Sequence, residues 1–382
     1  MSDNYLNSRN IIWIIAGETS GDGYGAAVAT ELRRQDPSVV VRGMGGDRMR
    51  EAGVDTFVDS SDLDIIGLVE CLKKLFFFIR LLKRVERLAA VERPATVVLI
   101  DYPGFNLQLA KRLHKLGIRV VWYVSPQVWA WKKGRIWKLA KYCDRMLCIF
   151  PFEPACYAPT TLRAEFVGHP LFSILRPWRE ATIERRDDLV LLLPGSRRQE
   201  LRQLLPDFVQ AAVILHRAHP ELRFHFALPR PAILDYAKSI LAQMELPPDA
   251  PEFQWSCGDT RQRMREGVCA IAASGTVTVE SAMLGLPVVV AYRTNPVTWW
   301  VAKRVVNLTT ITIANLVCEK TVFEERLQDE CTGQNLAECA EKLLPGGSRR
   351  QEVLKDMADF TNRLGAAGEV SCNVARIVLD PS

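Results

Sequence analysis

In LLLPGSRRQE (residues 191–200) an apolar run breaks into Pro194, Gly195 and Ser196 before Arg197 and Arg198 open a helical pattern. Amide donors, a hydroxyl and a guanidinium converge there where a strand meets a helix, which suits a diphosphate. IAASGTVTVE (271–280) repeats the plan. Ser274 is placed to cap a helix, and Gly275 and Thr276 offer its first free amides. Glu280 follows about a turn later, where its carboxylate can accept both hydroxyls of a ribose. Two such turns in one half of the chain point to a nucleotide, with phosphates on one loop and ribose on the other. No G-x-x-x-x-G-K-[ST] occurs, so nucleoside triphosphate hydrolysis has no motif.

A third turn, IIWIIAGETSGDGYGA (11–26), carries the acids Glu18 and Asp22 among glycines and hydroxyls. Gly21, Gly23 and Ala26 fit the dinucleotide spacing G-x-G-x-x-A, but the glycines arrive late, after Gly17, Glu18, Thr19 and Ser20. The next strand also ends in Gly45 and Gly46 rather than in an acid that would take a ribose hydroxyl. A nicotinamide or flavin cofactor is therefore not expected. Metal motifs are equally thin. H-E-x-x-H and G-x-S-x-G are absent, only five histidines occur, and DLD at 62–64 is too short to carry weight. We expect no catalytic metal and no cofactor.

The elements that must carry these turns alternate. Strand-like runs near 11–16, 38–42, 96–100, 118–123 and 145–149 are separated by helical patterns, and from residue 189 the sequence restarts with strand, turn and long helix. Such alternation predicts an α/β fold, two facing Rossmann-like doubly wound parallel-sheet domains with a cleft between them. The expected boundaries are an N-terminal domain over 1–175, a Pro/Arg-rich linker over 176–188 and a nucleotide-binding domain over 189–355. A C-terminal helix over 356–382 is expected to pack back on the first domain.

The 382 residues are 48% hydrophobic with a net charge of +5. That balance leans toward anionic partners but lacks the dense Lys/Arg tract of a nucleic-acid binder, so no nucleic acid is expected. Ten cysteines without a C-x-x-C, most of them in apolar segments, read as reduced core residues of a cytosolic protein. No run approaches the roughly 20 apolar residues of a membrane span. The segment 68–88 instead predicts an amphipathic helix. Leu72, Leu75, Phe76, Ile79 and Leu82 recur at helical spacing, six basic residues complement them, and Phe77 and Phe78 widen the apolar face. NPVTWWVAKRVV (295–306) repeats the basic-aromatic combination, and together the two suggest contact with an anionic membrane surface.

AGETSGD (16–22), IDYPGFN (100–106), YVSPQVWAW (123–131), FVGHP (166–170), LLPGSR (192–197), ASGTVTVE (273–280) and NLVCEKTVFEERLQ (315–328) resemble, in order and spacing, the lipid-A-disaccharide synthase family. The resemblance covers nearly the whole chain. It implies an inverting glycosyltransferase of the GT-B fold, peripheral on the inner face of the cytoplasmic membrane of a Gram-negative bacterium. Its donor would be UDP-2,3-diacylglucosamine and its acceptor 2,3-diacylglucosamine 1-phosphate, giving a β(1→6) disaccharide 1-phosphate and UDP. Direct displacement needs a general base on the acceptor hydroxyl. Asp101, closing the strand VVLID, is the first choice and Glu18 the second. The departing diphosphate falls to Ser196, Arg197 and the helix start at Ser274, Gly275 and Thr276, with Glu280 on the ribose. The resemblance adds Asn315 to the donor set and offers Ser20, Asp22, Glu325 and Gln328 as further site positions. Phe76, Phe77 and Phe78 would meet acyl chains or membrane.

Overall fold

The computed structural model describes residues 10–60, 71–130, 133–295, 299 and 310–380. They form two compact units, Met1–Pro170 with Leu364–Ser382, and Leu171–Arg363. The stretch 176–188, expected as a linker, falls within the second unit, where Arg176–Glu180 is helical.

In the first unit seven strands pair in parallel: β1 (Ile11–Ala16), β2 (Val40–Gly45), β3 (Asp55–Asp59), β4 (Thr96–Ile100), β5 (Arg119–Tyr123), β6 (Arg145–Cys148) and β7 (Arg163–Phe166). Their order is β3-β2-β1-β4-β5-β6-β7. Every residue of β1 and β4 is buried, as the central strands of a sheet covered by helices on both faces must be. The second unit repeats the scheme with β8 (Leu189–Leu193), β9 (Arg223–Leu228), β10 (Phe253–Cys257), β11 (Cys269–Ala273), β12 (Val288–Tyr292) and β13 (Glu325–Leu327), ordered β10-β9-β8-β11-β12-β13. The sequence reading missed β3, β7 and β13. Their residues DTFVD, RAEF and ERL are polar and short, because edge strands bury little.

Both sheets change their direction of winding between the first and fourth strands, at β1/β4 and at β8/β11. Loops leaving the carboxyl ends of these adjacent strands lie side by side, which is where open α/β sheets bind ligands. In the first unit the loops begin at Gly17 and Asp101; in the second they begin at Pro194 and Ser274.

The last residues complete the first unit. Helix Val370–Leu379 packs on helix Thr19–Gln35, with the Gln35 side chain donating to the Cys372 carbonyl at 3.1 Å. Arg119 at the start of β5 donates to the carbonyls of Val378 at 2.9 Å and Ile377 at 3.0 Å, a cation on the negative end of a helix dipole. Among the described residues no helix is long and apolar enough to cross a membrane.

Candidate active site

At the β1/β4 switch point Asp101 and Glu18 come together. Asp101 follows β4 directly and Glu18 stands one residue beyond β1, before helix Thr19–Gln35. Asp101 and Tyr102 both adopt left-handed backbone, φ 44° and 48°, and across the sheet Val124 after β5 does the same at 69°. Consecutive L-residues in this region, and a β-branched one beside them, mark strain held by the surroundings. Gly17 is required there. A Cβ on it would stand 2.4 Å from the Tyr102 ring, so the two loops interlock through this glycine. Burial, then the charge of Glu18, raises the Asp101 carboxyl from its ordinary 3.8 to about 6, while the Tyr102 amide pulls the other way. A carboxylate of that strength suits proton abstraction near neutral pH.

A third acid in the neighbourhood went unnoticed in the sequence. Glu153, after β6, is 1% exposed and accepts the amides of Ile149 and Phe150, each at 3.0 Å. Burial lifts it to about 8 against those amides, and Asp101 adds to the rise. Its signal was the FPFEP turn following a predicted strand, the position in which Asp101 itself was found.

Not every acid of the first turn faces solvent. Asp22 is buried and accepts the amides of Gly46 at 2.6 Å, Arg48 at 3.1 Å and Met49 at 3.2 Å, so it caps the short helix Asp47–Glu51. Ser20 is exposed on the first turn of its helix.

In the second unit the β8 turn is already filled by a protein anion. Glu200 accepts the amides of Ser196 at 2.8 Å and Arg197 at 3.2 Å, and its other oxygen takes the Arg197 guanidinium at 3.0 Å. The donors read from the sequence as a diphosphate cradle are thus engaged by a carboxylate on the first turn of helix Arg198–Ala218. Gly195, at φ 115°, leaves room for it, because a Cβ there would come within 2.3 Å of the Glu200 carboxylate. Across the switch point the helix Thr276–Met283 begins with Gly275 as its cap residue, and Ser274 makes no side-chain cap. That corrects the capping role expected of Ser274, whose amide instead continues the sheet by donating to Ala291 at 3.0 Å. Glu280 forms a two-point pair with Arg261, both bonds 3.1 Å, and Arg261 in turn lies over the Trp178 ring at 5.1 Å. Two of its lone-pair directions are spoken for, and the remaining ones are held in a fixed plane.

The positions added by the resemblance hold backbone. Asn315 is buried, accepting the amides of Val322 and Phe323 at 2.9 Å each and donating to the Phe323 carbonyl at 2.9 Å. Glu325 holds the chain that enters helix Ile313–Cys318, accepting the amides of Ile311 at 3.1 Å and Thr312 at 2.8 Å, with a further bond from the Thr310 hydroxyl. Gln328 clasps Thr294 with both ends of its amide, at 2.8 and 3.2 Å. All three hold backbone of the second unit, at Thr294, Ile311–Thr312 and Val322–Phe323.

Helix Cys71–Glu92 forms as the periodicity required; the side chains of 71–75, Leu72 and Leu75 among them, lie outside the described residues. Leu81, Leu82, Val85 and Ala89 are buried, and Phe77 and Phe78 pack partly against the same core, Phe78 touching Tyr102 and Phe105. Phe76, at 62% exposed, and Ile79 face outward, while Leu82 of the same apolar spacing is buried. The segment 296–309 lies outside the described residues apart from Trp299, as do DLD at 62–64 and Trp131.

A family model described as lipid-A-disaccharide synthetase matches residues 12–378. The chain belongs to the lipid-A-disaccharide synthase family. It is accordingly a glycosyltransferase of lipid A disaccharide synthesis. Curated synthases of Coxiella burnetii (strain Dugway 5J108-111) and Koribacter versatilis are 36% and 38% identical to it. The first alignment covers 97% of this chain and 98% of the relative, the second 92% and 93%. Solved structures share the synthase architecture at low identity. A UDP-GlcNAc 2-epimerase from Neisseria meningitidis bound to UDP-GlcNAc superposes with a TM-score of 0.63 at 14% identity, over 97% of this chain and 99% of that one. The calicheamicin glycosyltransferase CalG4 gives 0.60, also at 14%, over 97% and 98%. These likenesses identify the fold as GT-B.

Proposed function

We propose that the chain transfers the 2,3-diacylglucosaminyl group of its UDP derivative to the 6-hydroxyl of 2,3-diacylglucosamine 1-phosphate. The observation that carries the residue assignment is the Glu18–Asp101 pair at the β1/β4 switch point, with Asp101 raised to about 6. Ionised Asp101 takes the proton of the acceptor hydroxyl as that oxygen attacks the anomeric carbon of the donor. The bond from this carbon to the diphosphate breaks, the configuration inverts, and UDP leaves with the electron pair. Charge grows on the leaving diphosphate, so donors already oriented toward it contribute most. Arg197, Ser196 and the helix start at Gly275 and Thr276 are assigned to it, and Glu280, held in plane by Arg261, to the ribose. Arg197 must then exchange Glu200 for phosphate. Phe76, Ile79 and the basic residues of their helix supply contact with the inner face of the cytoplasmic membrane, where both acylated substrates reside.

The test is UDP release from acylated and non-acylated UDP-glucosamine donors, each with the diacylglucosamine 1-phosphate acceptor. Turnover with the acylated donor alone is expected. Asp101→Asn should lower kcat by roughly 10² to 10⁴ with little change in donor binding. Equal use of UDP-N-acetylglucosamine with a polyprenyl acceptor would replace this reading by that of a related transferase. Binding without turnover would make the protein a glycolipid carrier.

A further inference from the structure

The turn that presents Asp101 is held from beneath by one side chain. Asn106, on helix Pro103–Lys115, is completely buried, and its amide nitrogen donates to the carbonyl of Ile100 at 3.2 Å and to that of Asp101 at 2.8 Å. Its backbone amide donates to the Tyr102 carbonyl at 3.0 Å. Three successive carbonyls therefore converge on one residue, spanning the two left-handed positions. On the other side, the Asp101 amide donates to the Tyr123 carbonyl at 2.9 Å. The orientation of the Asn106 amide is fixed by chemistry, since the opposite one would set its oxygen against two carbonyls.

The arrangement does not serve Asn106 itself. Its Oδ1 is buried without a donor, a cost that the site bears to keep the NH2 group in place. The same clamp reaches the second acid, because the Tyr102 ring lies against Gly17, the residue before Glu18.

We propose that Asn106 is a positioning residue for the transfer reaction: it holds the Asp101–Tyr102 turn in left-handed backbone and so fixes where the Asp101 carboxyl meets the acceptor hydroxyl. The inference rests on Asp101 being the base. Without the two donated hydrogen bonds the turn relaxes toward ordinary backbone, which redirects the carboxyl and loosens Tyr102 over Gly17. Nucleotide binding, assigned to the second unit, stays as it was.

The experiment uses the full chain with Asn106→Leu, which keeps the number of side-chain heavy atoms and their branching, removes both donors and also removes the unpartnered oxygen. Asn106→Ser, retaining one short donor, carries the test if the leucine variant does not fold, as read by thermal melting. Expected is a fall in kcat of about 100-fold for leucine and a smaller one for serine, with KM for both substrates within about twofold and UDP affinity unchanged. The acid limb of kcat/KM should also move, since the carboxyl leaves the surroundings in which Glu18 and the neutral Glu153 face it. A folded variant with normal kcat and an unmoved acid limb overturns the proposal. Asp101→Asn, run in parallel, separates the two claims. Normal activity there defeats the base assignment itself, whereas an inactive Asp101→Asn beside a fully active Asn106 variant defeats only the positioning role.

Discussion

Replacing Glu18 by Gln should make the enzyme work at lower pH. In the proposed mechanism Asp101 takes a proton only when ionised, so kcat/KM, which reports the free enzyme, should fall as pH drops through its pKa of about 6. Raising that group from 3.8 to about 6 corresponds to roughly 3 kcal/mol against ionisation. Burial is the larger cause and Glu18 the second, so the substitution removes only part of the rise. Glu18 is itself exposed, and its field is screened by water and salt. The acid midpoint should therefore move below about 6, and the difference should shrink as ionic strength increases. The assay is UDP release from acylated donor at subsaturating substrate between pH 4.5 and 8 (about the range over which the group titrates), at constant salt. An unmoved midpoint would show that Glu18 does not act on the base. Loss of activity at every pH would transfer the proton-abstracting role to Glu18.

Asp101→Asn should stabilise the fold. A carboxyl raised on folding costs stability above its folded pKa and not below its unfolded one, so thermal denaturation should show a gain of about 1 to 3 kcal/mol at pH 8 that fades between pH 6 and 4. Glu153→Gln mimics the neutral acid that burial favours, so melting should improve over the parent as pH rises from about 4.5, with the gain already large at pH 7 and levelling off above about pH 8. Glu200→Gln removes the resident anion from Ser196 and Arg197, and calorimetry should find UDP bound about tenfold more tightly; weaker binding would mean that the carboxylate serves the donor loop only as a helix cap. Phe76→Ser, at an exposed position, should leave the melting temperature in place and weaken sedimentation with anionic vesicles, whereas Phe78→Ser should destabilise the core.

What the sequence disclosed depended on how local the cause was. Long apolar runs such as IIWIIA and LVLLL become central strands because both faces are covered, and that requirement is written in consecutive residues. Asp101 was legible for the same reason, as an acid ending such a run. In helix Cys71–Glu92 several apolar stripes fit the crowded sequence, and tertiary packing rather than any local pattern decides that Leu81, Leu82 and Val85 are the ones buried in the core. Glu200, Asn106 and Arg261 escaped altogether. Each is an ordinary polar residue until its partner is known, and the partners Ser196, Asp101 and Glu280 are brought to them by turns and crossovers. Asn315, Glu325 and Gln328 lay in a matching motif, yet their side chains turn inward to backbone amides and carbonyls that no pattern of letters displays.

The return of the last residues to the first unit affects the order in which the molecule can be finished. On the ribosome, β1 to β7 emerge early, but helix Thr19–Gln35 lacks its covering helix, and Arg119 lacks the carbonyls of Ile377 and Val378, until residues 370–379 have been made. All of Leu171–Arg363 is made in the meantime, and it can close on itself first. The earliest-made unit is then the last to mature, and it must wait with an apolar helix face uncovered. A chain cut off before Val370 would leave Leu171–Arg363 whole and strike instead the unit that carries Asp101.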